Sequence, residues 1–66
     1  MNIKVNQITL LTGGNAADVI LLDLELPPSM WPFNSNPSVR IDAAAGSGEQ
    51  YIKENFPGVP LEIVRL

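Results

Sequence analysis

The sequence predicts an α+β fold of order β-β-β-α-β, a four-stranded mixed sheet with one short helix packed on one face. Three observations carry it. Apolar residues alternate along two N-terminal segments separated by Gly13-Gly14-Asn15, and again from Ser38. Helix-start chemistry occurs once, at Gly46-Ser47-Gly48, and a β-branched run closes the chain after Pro57-Gly58. Period-two alternation marks half-buried strands, whereas Gly and Pro punctuate them.

From Asn2 to Thr12 the apolar residues Ile3, Val5, Ile8 and Leu10 change parity between Val5 and Ile8, which predicts a strand with a bulge near Asn6 or Gln7. Gly13 to Ala17 reads as a hairpin loop, because glycine and asparagine accept positive φ. The second strand, Asp18 to Leu26, carries Ile20, Leu22, Leu24 and Leu26 on one face and turns acidic on the other, at Asp23 and Glu25. Pairing Leu10 with Ile20 and Ile8 with Leu22 merges the apolar faces of both strands. Pro27, Pro28, Pro32 and Pro37 then enforce a long loop holding Met30, Trp31 and Phe33, since proline cannot donate to a ladder.

Ser38 to Ala45 alternates Val39, Ile41 and Ala43 against Arg40 and Asp42, a third half-buried strand. Ser47 with Gln50 reads as a capping box opening a short helix. Glu49 and Lys53 form an i,i+4 pair on its outer face. Pro60 to Leu66 is the last strand, and its helical connection to the third suits a parallel crossover. Its place in the sheet, beside the third strand or at the opposite edge, stays open.

The 66 residues are 45% hydrophobic with mean hydropathy +0.14, outside the disordered class; one domain, 1–66, is expected. A core this small is thin. With neither Cys nor His it lacks disulfides and the commonest zinc, copper and haem ligands, so no metal or cofactor is expected, and a homodimer is a reasonable stabiliser. The sequence shows no cationic leader, and its longest apolar run, Val19 to Leu22, is too short to span a bilayer. These features lead us to expect a cytoplasmic protein. Seven acids against four bases give a net charge of −3, which disfavours direct nucleic-acid binding and favours a basic partner.

Gly46-Ser47-Gly48 at a strand-to-helix junction invites a phosphate-cradle reading. The following Glu49 would repel an anion and the P-loop lysine is missing, so turn-and-cap chemistry is the better assignment. Asp18, Asp23, Glu25 and Asp42 lack a histidine or cysteine companion, and the Ser and Thr hydroxyls lack a histidine base, so an enzyme is not expected. The candidate partner-binding residues are the acids Asp23, Glu25, Asp42 and Glu62, together with Trp31 and Phe33. Carboxylates alternating along a strand repeat at about 6.8 Å, of the order of the phosphate spacing in an extended nucleic acid. The same acids also suit an ordinary solvated sheet face. Trp31 and Phe33 read either as a lid over one end of the sheet, the favoured assignment, or as an interface anchor.

The segment Gly46-Ser47-Gly48-Glu49-Gln50-Tyr51-Ile52-Lys53-Glu54-Asn55-Phe56-Pro57-Gly58-Val59-Pro60, followed by Leu61-Glu62-Ile63-Val64, resembles a pattern in short phage and prophage reading frames. With its length and acidity, the chain resembles the small anti-CRISPR proteins, a group that includes inhibitors of type I effector complexes. That family shares no common fold or motif, so the resemblance implies stoichiometric inhibition by binding, in the host cytoplasm, and assigns no residue. Several such proteins act as acidic nucleic-acid mimics. The expected function is therefore a phage-encoded inhibitor that covers a basic, nucleic-acid-binding surface of a CRISPR effector (Cascade) subunit. The alternative is a small homo-oligomeric phage or bacterial accessory protein, associating through its sheet edge and apolar loop.

Overall fold

The computed structural model describes residues 3–14, 17–32 and 37–66. Phe33 lies outside the described residues. The element order is β1 (Lys4–Thr12), β2 (Ala17–Glu25), a single 3-10 turn (Pro28–Met30), β3 (Ser38–Ala44), α1 (Gly48–Asn55) and β4 (Leu61–Arg65). The strands form one sheet in the order β3-β2-β1-β4, with β1–β2 and β2–β3 antiparallel and β4 parallel to β1. This is the expected α+β architecture. It also settles the open placement of β4: the connection through α1 carries the chain from one edge of the sheet to the other.

The β1–β2 register is the one that the apolar parity requires, Leu10 opposite Ile20 and Ile8 opposite Leu22. Val5 pairs with Leu24 and Gln7 with Asp23, so Asn6 is the extra residue of a bulge. Without it, Val5 would point away from the face that Ile8 and Leu10 occupy; with it, Val5 joins the core. That core is Ile8, Leu10, Ile20, Leu22, Leu24 and the helical Ile52, with Val5, Ile41, Ala43, Phe56, Val59 and Leu61 packed at its margin.

The helix lies over β1 and β2 and inserts Ile52. The predicted Lys53–Glu49 pair forms at 3.2 Å between exposed side chains, worth a few tenths of a kcal/mol at most. The helix ends as Phe56 N–H donates to the Ile52 carbonyl, and Gly58 then turns the chain at φ +84°, a conformation that favours glycine.

Ile20 belongs to this core and is 0% exposed. Truncating a buried Ile to Ala removes about 2–5 kcal/mol, comparable to the roughly 3–5 kcal/mol a core of this size supplies. Ile20→Ala is therefore expected to be largely unfolded at 25 °C by circular dichroism. Ile20→Val should keep a cooperative urea transition at a lower midpoint.

Candidate functional site

Two features could support function: a buried carboxylate at the helix start and an uncovered sheet face. Asp18 has the parity of Ile20, Leu22 and Leu24 and therefore points to the core side of β2, at its N-terminal end. It is 2% exposed, and it is the buried charged residue among the described residues. Its Oδ2 accepts the N–H groups of Gly46 and Gly48, both at 3.0 Å, and its Oδ1 accepts the Thr12 hydroxyl at 2.9 Å. The bond from Gly48 N–H, then that from Thr12, hold its carboxyl below the ordinary value of 3.8; burial opposes them and the Gly46 bond adds to them.

This arrangement corrects the expected capping box. Ser47 makes no side-chain bond to the helix start; its hydroxyl donates back to the Ala44 carbonyl at 2.6 Å. Gln50 donates instead to Glu54 at 3.0 Å. The helix N-terminus is capped from β2, 30 residues earlier in the chain, and a carboxylate there also meets the positive end of the helix dipole. The N–H groups that a phosphate cradle would have used are occupied by the protein's own anion. The signal was present in the sequence as Asp18 sharing the parity of a leucine-rich face.

Gly48 is required by the same contact. A Cβ at Gly48 would fall 2.7 Å from Leu10 Cδ1 and 3.0 Å from Asp18 Cβ. Leu10 is itself buried, so a Cβ there forces the Leu10 and Asp18 side chains to shift.

The second feature is the sheet face opposite α1. Three cross-strand rows describe it: Asp42–Val19–Leu11–Val64, then Arg40–Leu21–Thr9–Glu62, then Ser38–Asp23–Gln7. Val19, Leu21, Leu11 and Val64 are half-buried, forming an apolar centre that no described element covers. The predicted acids Asp23, Asp42 and Glu62 do share this face. Glu25 follows Asp23 at the end of β2, opposite Lys4.

The acids differ in their surroundings. Asp42 receives Arg40 Nε at 3.0 Å, both side chains being more than half exposed at 60% and 66%. Glu62 accepts a long 3.4 Å bond from Gln7. Trp31 is partly covered at the end of the sheet, which both the lid and the anchor assignments allow. It is 51% exposed and lines a shallow cleft with Lys4, Glu25, Leu26, Pro27 and Pro28. The proline-stiffened turn holds the indole beside the end of β2, next to buried Leu26.

Among the described residues no three carboxylates converge as metal ligands, and no helix is long and apolar enough to cross a membrane. No family model, curated protein or solved structure matches the chain.

A depressed carboxyl pKa contributes stability that is complete above its unfolded value and is lost as pH falls through the folded one. The urea midpoint is thus expected to hold steady above about pH 5 and to decline below 3.8. Asp18→Asn should lose that Asp18-dependent part of the decline. Asp18→Ala, which strips acceptors from two glycine N–H groups, should be less stable than Asp18→Asn at pH 7. Gly48→Ala, although alanine is the better helix former, is expected to lower the melting temperature.

Proposed function

We propose that the protein is a binding protein, not a catalyst: a stoichiometric inhibitor of the anti-CRISPR kind, phage-encoded and acting in the host cytoplasm, that covers a basic nucleic-acid-binding surface of a type I effector subunit with its open sheet face. The observation that carries this reading is the gathering of Asp23, Asp42 and Glu62 on one uncovered face of a protein whose net charge is −3. An acidic surface of this kind accelerates encounter with a cationic groove and selects against anionic competitors.

The geometry ranks the acids. Arg40 offsets Asp42, so β3 adds little net charge to the face. Half-buried Leu and Val between the acids provide the apolar centre that a stable interface needs beneath a charged rim. Trp31, exposed beside Glu25, extends the surface past the end of β2, and tryptophan is enriched among residues that dominate binding energy.

Titrating the protein into purified type I effector complexes tests the reading, with binding of labelled target DNA as the readout. DNA binding should be lost at stoichiometric inhibitor and recover at high salt. The double variant Asp23→Lys, Glu25→Lys should inhibit at least about tenfold more weakly, whereas Asp42→Asn should change inhibition by less than about threefold. Failure to displace DNA from any complex, or inhibition indifferent to the double reversal, would refute the proposal.

A further inference from the structure

We propose that the open sheet face also pairs with itself, giving an isologous dimer in which Arg40 of each protomer meets Glu62 of the other. The order of residues across one row carries this pairing, independently of the proposed inhibition. Arg40 and Glu62 occupy the two ends of the row Arg40–Leu21–Thr9–Glu62. Three strand spacings, about 14 Å, separate their backbones, which keeps them apart within one protomer. A two-fold axis lying between two stacked sheets and running along the strands exchanges the sheet edges. It sets β3 of one copy over β4 of the other, and therefore Arg40 over Glu62 on both sides at once.

The same operation brings Leu21 over Thr9 and Val19 over Leu11, so apolar side chains meet between the two ion pairs. Aligned sheets stack about 10 Å apart at roughly 30°. A turn of that size displaces the row ends by a few ångströms, within reach of an arginine and a glutamate. The present partners of both groups are weakly held: Arg40 bonds Asp42 between exposed side chains, and among the described residues Glu62 accepts a long 3.4 Å bond from Gln7. Arg40 can keep Asp42 while reaching across, leaving Asp42 at the wet rim. The same operation sets Asp42 over Val64 at the sheet edge, where Asp42 keeps its bond from Arg40.

The dimer also supplies what the monomer lacks. One helix covers one face, and the second face keeps four half-buried aliphatic residues whose further burial by a second copy would add to a core this small. A partner protein and a second copy would then compete for the same rows.

Sedimentation velocity over a range of protein concentrations tests the arrangement. A reversible dimer that weakens with salt is expected. Arg40→Glu and Glu62→Arg should each raise its dissociation constant at least about tenfold, because each turns two attractions into repulsions. Both substitutions are at exposed positions, and circular dichroism checks that each variant is folded. An equimolar mixture of the two folded variants should associate again. In the mixed dimer the acid introduced by Arg40→Glu faces the base introduced by Glu62→Arg, and the unchanged Arg40 of one variant faces the unchanged Glu62 of the other. A protein that stays monomeric at every concentration, a dimer indifferent to Glu62→Arg, or a mixture that fails to associate would each overturn the proposal.

Discussion

The helix–sheet arrangement depends on one buried carboxylate. Asp18 is the point at which β1, β2 and the start of α1 meet, through Thr12, Gly46 and Gly48. An ionised group out of contact with water is unfavourable unless hydrogen bonds replace its hydration. Here three donors do so, two of them backbone N–H groups, of which that of Gly48 is one the helix start would otherwise leave without a partner. The two needs are reciprocal. The helix end satisfies the carboxylate, and the carboxylate fixes where the helix begins relative to the sheet.

From that anchor the remaining packing follows. Once Gly48 is held against Leu10 and Asp18, the first turn of α1 runs over β1 and β2 and directs Ile52 into the apolar face. The covered face is thereby defined, and so is the uncovered one. Hydrophobic burial supplies most of the driving force, but it is non-directional; the Asp18 bonds give it a register. The open face inherits its composition from the same alternation. Each Ile or Leu turned to the core on β1 and β2 turns its neighbour outward, which is how Leu11, Val19, Leu21 and Asp23 come to share a surface.

Much of this was legible in the sequence. Parity gave the β1–β2 register and a bulge near Asn6 or Gln7, glycine and proline gave the element boundaries to within a residue or two, and alternation placed Asp23 and Asp42 on the outer face. The position of β4 was not legible, because a helical crossover constrains the direction of the next strand more tightly than its place in the sheet. The capping assignment failed for a related reason: a local pattern at Ser47 and Gln50 competed with a partner 30 residues away that no local rule can see. Hydrophobicity alone left Trp31 open between lid and anchor, and the half-exposed indole beside buried Leu26 at the end of β2 is compatible with both. The row that sets Arg40 against Glu62 became readable only with the strand order.

The most direct test of the central role of Asp18 is an NMR titration that follows its carboxyl carbon and the Gly48 amide together from pH 7 downward. The structure predicts that the carboxyl titrates below 3.8 and that the Gly48 amide shifts at the same midpoint, because one bond links them. A carboxyl that titrates at its ordinary value, with a Gly48 amide that does not respond, would contradict the account.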